Sequence, residues 1–248
     1  MDKYGLIGYP LGHSFSISYH NQRFADEGIN AKYFNFEIAS IDELQEVLNS
    51  NPELKGLNVT IPYKEKVMEF LDYISPEARS IGAVNVIRVV HEGKNIILKG
   101  YNSDVIGFTQ SIEPMLEDYN KKALVLGTGG ASKAVDFGLR SLGLETVFVS
   151  RYERPGTIQY ESITPEVVKE YNVIVNCTPL GMYPKVKECP KLPYEAMDEH
   201  NILYDLIYNP DETLFMKNGA KYGAQTKNGL EMLLLQAFAS WEFWNGKE

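Results

Sequence analysis

Lys64 is the obvious proton donor in a group of residues otherwise rich in uncharged hydrogen-bonding side chains. It ends the run Asn58-Val-Thr60-Ile-Pro62-Tyr-Lys64. In an extended strand Asn58 and Thr60 point to one side, and a helix opened by Pro62 brings Lys64 to the same mouth. Asn85 follows Gly82-Ala-Val, and Asn102-Ser103-Asp104 follows Gly100-Tyr, which adds two amides, a hydroxyl and one carboxylate. Ser14 and Ser16 contribute two more hydroxyls from a glycine-containing loop after the first apolar run. A lysine and a carboxylate amid neutral donors and acceptors can bind a polyhydroxylated ring and handle one proton. Each residue also has an ordinary use: Lys64 as a surface charge, the serines as cap and turn, Asp104 as a helix N-cap. For Asp104 both uses hold together.

A second group has a different chemistry. Gly127-Thr128-Gly129-Gly130-Ala131-Ser132 follows an apolar strand predicted over 122–126 and opens a helix predicted over 132–142. In that setting glycines let the backbone approach a pyrophosphate, whose charge then faces the free N–H groups of the helix N-terminus. Ser132 stands where the third glycine of the usual dinucleotide fingerprint would be, so the surrounding strand and helix carry the reading. The next strand, predicted over 146–150, ends in Ser150-Arg151-Tyr152-Glu153-Arg154. An NAD site places an acidic residue there for the ribose 2′-OH, whereas the guanidinium of Arg151 suits the 2′-phosphate of NADP. The other reading makes Arg151 and Arg154 solvated loop charges.

These residues need rigid elements beneath them. Over the first hundred residues, short apolar runs at 4–8, 32–36 and 57–60 alternate with amphipathic stretches at 20–25 and 42–48, and a hairpin pairs 84–91 with 95–98 through Glu92-Gly93-Lys94. That pattern predicts an α/β domain with a mixed sheet. A helix from Asp104 towards Leu116 is cut short by Pro114. Strands at 122–126, 146–150, 173–177 and 202–206, with helices at 132–142 and 165–171, predict a Rossmann-like, doubly wound parallel sheet with its ligand at the strand C-termini. An amphipathic segment at 230–244 can pack on either domain.

With 248 residues, 44% of them hydrophobic, the chain can bury a substantial core in one large domain or two modest ones. A net charge of −9, without a run of basic and aromatic residues, excludes a nucleic-acid partner but admits small acidic substrates. No stretch approaches the roughly 18 apolar residues of a membrane span, and residues 1–8 are too short and polar for a signal peptide; a cytoplasmic protein is expected. Cys177 and Cys189 are read as reduced thiols, and the four histidines show no metal-ligand spacing.

Taken in order, several motifs resemble the shikimate dehydrogenase family along nearly the whole chain. They are His13-Ser14-Phe-Ser16, His20-Asn21, Asn58 to Lys64, Gly82 to Asn85, Gly100 to Asp104, Gly127 to Ala131, Asn176-Cys-Thr178-Pro-Leu-Gly181-Met182, Tyr204-Asp-Leu-Ile-Tyr208-Asn-Pro210 and Gly229 to Gln236. The resemblance implies NADPH-dependent reduction of 3-dehydroshikimate, with Lys64 and Asp104 catalytic. It implies substrate contacts from Ser14, Ser16, Thr60, Asn85, Tyr208 and Gln236, with Asn58 in support. Cofactor contacts are implied for Gly127, Thr128, Gly129, Gly130, Ala131, Ser150, Arg151, Thr178, Leu206 and Gly229. It further implies a substrate domain of residues 1–103 and 230–248, a nucleotide domain of residues 104–229, a site in the cleft between them, and a monomer or homodimer.

The chain departs from the family's pattern at Ile17 (often Pro), Ser103 (often Thr), Val105 (often Gly), and Ser150-Arg151-Tyr152 (often Asn-Arg-Thr). The last keeps the arginine and loses two polar groups. A quinate/shikimate dehydrogenase using NAD and a catalytically silent ligand-sensing relative are the competing readings.

Overall fold

The structure is a computed structural model and describes residues 1–12, 15–93 and 95–247. The chain divides into one unit of Met1–Ser103 with Ala237–Glu248 and a second of Asp104–Gln236. The first holds β1 (Asp2–Gly8), α1 (Phe15–Asp26), β2 (Ala31–Glu37), α2 (Leu44–Ser50), β3 (Leu54–Val59), β4 (Tyr73–Ile74), α3 (Pro76–Ile81), β5 (Val86–Glu92) and β6 (Asn95–Tyr101). Its strands form one six-stranded sheet in the order β2-β1-β3-β5-β6-β4. β1 runs parallel to β2 and β3, while β5 runs antiparallel to β3 and β6. The mixed sheet expected from the sequence is borne out.

Alternation along these strands divides their side chains between two cores. Ile7, Leu57, Val59, Ile87 and Val89 enter one; Tyr4, Leu6, Val86 and Tyr101 enter the other, with Phe24, Tyr33 and Trp244. Each fully buried Leu, Ile, Val or Phe contributes about 1.5–3 kcal/mol.

The second unit holds α4 (Asp104–Ile112), β7 (Lys122–Leu126), α5 (Gly130–Ser141), β8 (Glu145–Ser150), β9 (Thr157–Gln159), α6 (Pro165–Glu170), β10 (Val173–Asn176), β11 (Ile202–Asp205), α7 (Leu214–Ala220), β12 (Gln225–Lys227) and the first half of α8 (Leu230–Trp244). All six strands are parallel, in the order β12-β11-β10-β7-β8-β9. Ala123, Val125, Val173 and Val175 face a core completed by Phe108, Val135 and Leu139. Leu124, Leu126, Ile174 and Leu203 face a core completed by Val168 and Phe215. The chain leaves β7 towards β8 and β9, then returns on the other flank at β10, so the topological switch point lies between β7 and β10. In such sheets the crevice beyond the strand C-termini at this point takes the ligand.

Two local expectations change. Pro62 does not open a helix: Tyr63 N–H donates to the Thr60 carbonyl at 2.9 Å, and a 3-10 segment begins only at Lys66. Lys64 therefore sits in a turn, its carbonyl accepting Val84 N–H at 2.7 Å. The unit division also falls inside α8 instead of before it. Met232 belongs to the second unit's core and Trp244 to the first's, which is why one amphipathic pattern could not be assigned to a single domain. No helix among the described residues is long and apolar enough to cross a membrane.

Candidate active site

In the first unit, Ser14 lies outside the described residues. Asn58, Thr60 and Asn85 sit at the ends of strands, Ser16 in the first turn of α1 and Lys64 in the turn after β3. Asn58, near the end of β3, is 7% exposed. Its Oδ1 accepts the Tyr33 hydroxyl at 2.8 Å, and its Nδ2 donates to the Ser240 hydroxyl at 2.9 Å and the Asn85 carbonyl at 3.4 Å. Asn85, just before β5, donates from Nδ2 to the Ser103 hydroxyl at 3.0 Å and accepts Ser103 N–H on Oδ1 at 2.6 Å. Ser103 and Ser240 hydroxyls lie 3.0 Å apart.

One buried chain of hydrogen bonds thus joins Tyr33, Asn58, Ser240, Ser103 and Asn85. The Asn85 carbonyl can only accept and the Ser103 N–H can only donate, so these backbone groups set the orientation of the Asn58 and Asn85 amides. Thr60 follows β3 and donates its N–H to the Ile7 carbonyl at 2.9 Å. Lys64 is half-buried in the turn beyond it. Tyr33 and Ser240 had no functional signal in the sequence, since each sits in an otherwise apolar or amphipathic stretch.

A separate cavity of about 470 Å³ in this unit is lined by Tyr9, Ser40, Asp42, Tyr63, Lys66 and Phe70, among others. It holds none of the residues picked from the sequence.

In the second unit Asp104 is the first residue of α4 and is 7% exposed. The glycine loop leaves β7 at Gly127, whose φ of 105° lies in the left-handed region and whose absent Cβ would meet Thr178 Cγ2 at 3.2 Å. Both features call for glycine. At Gly129 a Cβ would meet nothing within 4 Å, which leaves room directly before the N-terminus of α5. Ser132 is fully buried and donates its hydroxyl to the Gly129 carbonyl at 2.6 Å. It braces the loop where the usual fingerprint has its third glycine. Open space, glycine backbone and helix N–H groups together fit a pyrophosphate.

The residues after β8 flank this loop. Arg151 lies over the Tyr152 ring at 5.7 Å. Arg154 Nη1 donates to Thr128 Oγ1 at 3.0 Å, which ties the β8 loop to the glycine loop. Ser150 is buried, and its hydroxyl accepts Tyr152 N–H at 3.2 Å, so it shapes the turn. Sequence reasoning put Arg151 first; its spacing to Arg154 was the available signal for a pair.

Beyond β10 and β11 lie the remaining expected cofactor residues. Thr178 donates both its N–H (3.0 Å) and hydroxyl (2.6 Å) to Asn176 Oδ1. Leu206 meets Gly229, whose N–H donates to the Ile207 carbonyl at 3.1 Å and whose absent Cβ would overlap the Leu206 carbonyl oxygen. Tyr208 is 38% exposed, and partial burial raises its pKa. Gln236 Nε2 donates to the Leu233 carbonyl at 2.8 Å. Asp205 is completely buried, which pushes its carboxyl up to about 6 against the hydrogen bonds from Thr213, Ile207 and Asn176. Burial, and then the Asp205 charge, push the Cys177 thiol well above its usual range, so it stays protonated.

Residues 6–87 match the family model described as the shikimate dehydrogenase substrate binding domain. The chain is 41% identical over 262 residues to the shikimate dehydrogenase (NADP(+)) of Caldanaerobacter subterraneus subsp. tengcongensis, covering 98% of this chain and 91% of that protein. Among solved structures, the shikimate 5-dehydrogenase of Thermus thermophilus, in complex with NADP(H) and shikimate, superposes with a TM-score of 0.85 at 30% identity, covering 99% of this chain and 94% of that one. A chorismate mutase/shikimate 5-dehydrogenase fusion protein from Clostridium acetobutylicum gives 0.84 at 39% identity, covering 98% and 91%. Likeness of this extent spans the mixed sheet, the parallel sheet and every motif described above. The chain belongs to the shikimate dehydrogenase family.

Proposed function

We propose that this chain is a cytoplasmic NADP-dependent shikimate dehydrogenase that reversibly reduces 3-dehydroshikimate to shikimate. The observation that carries it is the glycine loop at the β7–β10 switch point, open over a helix N-terminus and bonded through Thr128 to an arginine of the β8 loop. Family membership supplies the substrate. The net charge of −9 disfavours nucleic acid as a partner, and the enzyme acts as a monomer or homodimer.

When bound, the nucleotide supplies the hydride. Reduction builds negative charge on the ketone oxygen, and Lys64 delivers a proton there; the interaction strengthens as the charge develops, so it lowers the barrier more than it favours ground-state binding. Asp104 orients Lys64 and bonds a ring hydroxyl. Ser14, Ser16 and Tyr208 hold the substrate carboxylate, while Thr60, Asn85 and Gln236 bond the ring. Asn58, with its amide engaged by Tyr33, Ser240 and Asn85, supports Asn85 from behind. Gly127, Thr128, Gly129, Gly130 and Ala131 receive the pyrophosphate, Thr178, Leu206 and Gly229 shape the nicotinamide end, and in oxidation Lys64 serves as base.

Arg151 sets nucleotide choice, because a guanidinium can give a 2′-phosphate two parallel N–H bonds that the hydroxyl of NAD cannot use. Arg151→Ala is expected to weaken NADP relative to NAD by about 1.5–3 kcal/mol in kcat/KM, the cost of one charge-assisted contact. Added salt shrinks the wild-type preference and hardly changes the variant. Initial rates with both nucleotides check this; equal loss with both would make Arg151 a solvated loop charge.

A further inference from the structure

Asp205 belongs to no expected contact with substrate or nucleotide, yet it is a fully buried carboxylate at the C-terminal end of β11, paired in register with Asn176 at the end of β10. Its Oδ1 accepts Asn176 Nδ2 at 3.0 Å and Ile207 N–H at 3.1 Å, and its Oδ2 accepts the Thr213 hydroxyl at 2.6 Å. Asn176 and Thr213 are also fully buried. An ionised carboxylate can only accept hydrogen bonds. It therefore turns the donor end of the Asn176 amide towards itself and leaves Oδ1 facing the other way. That oxygen is the one that takes the N–H and the hydroxyl of Thr178, and the Thr178 oxygen in turn accepts Leu180 N–H at 3.3 Å. On the other side, Ile207 N–H is held by the carboxylate while the Ile207 carbonyl accepts Gly229 N–H.

We propose that Asp205 is a positioning residue for the nucleotide: by fixing the Asn176 amide and the 205–207 turn, it sets Thr178, Leu206 and Gly229 together at the nicotinamide end of the site. This rests on the nucleotide-site reading given above. Asparagine at this position keeps the size but loses the charge and one acceptor oxygen, so the bonds that hold the Asn176 amide and Ile207 N–H fall from charge-assisted to neutral and the Thr213 hydroxyl loses the oxygen it donates to.

The test is Asp205→Asn, read by equilibrium titration with NADP⁺ and by steady-state kinetics. NADP⁺ binding is expected to weaken about tenfold and kcat to fall about tenfold to a hundredfold, as for reacting groups displaced by around an ångström. Shikimate KM is expected to stay within about twofold, since most substrate groups lie on other elements. Charge alone predicts the opposite sign for binding, because removing a buried anion favours a polyanionic ligand; NADP⁺ affinity that is unchanged or tighter, with normal kcat, overturns the proposal. If Asp205→Asn does not fold, Asn176→Ala spares the carboxylate with its Thr213 and Ile207 donors and removes the acceptor of Thr178, together with the amide's own bonds to Asp205 and the Leu180 carbonyl. It carries the same expectation, and normal behaviour in it is equally contrary. The titration needs no substrate, so a wild type that binds NADP⁺ without turning over 3-dehydroshikimate defeats the functional reading and leaves this one to be judged on affinity.

Discussion

Lys64→Ala is expected to lower kcat by about two to four orders of magnitude, the usual contribution of a positioned general acid or base. Shikimate KM should change much less. Serine, threonine and amide groups do most of the binding in this account, and the side chain removed acts on charge that exists only as the ketone is reduced. Loss of kcat without loss of affinity is therefore the signature of the assigned role. Lys64→Ala with a normal kcat and a raised KM would make it a binding residue. Asp104→Asn in the Lys64→Ala background should add little, because residues acting as one unit are not additive. The turn that carries Lys64 is held in part by its neighbour, since the Tyr63 hydroxyl donates to the Ile38 carbonyl at 2.6 Å.

The second large effect is on stability in acid, and His20 causes it. Its ring is 1% exposed, stacked 4.6 Å from Tyr33 and packed beside Tyr19, Phe24 and Trp244. Neither ring nitrogen has a hydrogen-bond partner among the described residues. Burial, and then the positive charge of Arg23, lower its pKa from 6.5 to about 3. The unfolded chain takes up a proton near pH 6.5, whereas the folded one resists until about pH 3. Because the unfolded state binds more protons throughout that window, stability present above pH 6.5 is lost as pH falls towards 3. The full window is worth up to roughly 5 kcal/mol, at about 1.4 kcal/mol per pKa unit.

His20→Phe keeps a ring of similar size in the aromatic cluster and removes the group that must be charged. Its unfolding free energy, from urea denaturation at pH 7 and pH 4, should fall clearly less across that interval than the wild type's. Parallel losses would assign the acid sensitivity elsewhere.

Some of this molecule is plain in its sequence, and the reason is local. Leu124, Leu126, Val173 and Val175 are wholly buried strand residues in short apolar runs, and a glycine-rich turn entering a helix has few other uses, so both sheets and the nucleotide loop are legible. Pro62 misleads because proline suits both a first helical turn and a turn between elements. Asp205 and Tyr33 are silent for another reason. Their chemistry depends on partners such as Thr213, Asn176 and Asn58 that only the folded chain supplies, and a lone polar residue at a strand end or in an apolar run does not announce them. The short strands β9 and β12 lie beneath the length at which alternation can be recognised, and Ser14 falls outside the described residues.

This chain is expected to turn over 3-dehydroshikimate at the expense of NADPH. The most direct test is the loss of NADPH absorbance by the purified wild-type protein on addition of 3-dehydroshikimate, run beside the reverse reaction with shikimate or quinate and NADP⁺ or NAD⁺. NADPH oxidation that depends on 3-dehydroshikimate is expected, with a reverse rate highest for shikimate with NADP⁺. Binding of both ligands without turnover, or a highest rate for quinate with NAD⁺, would contradict it.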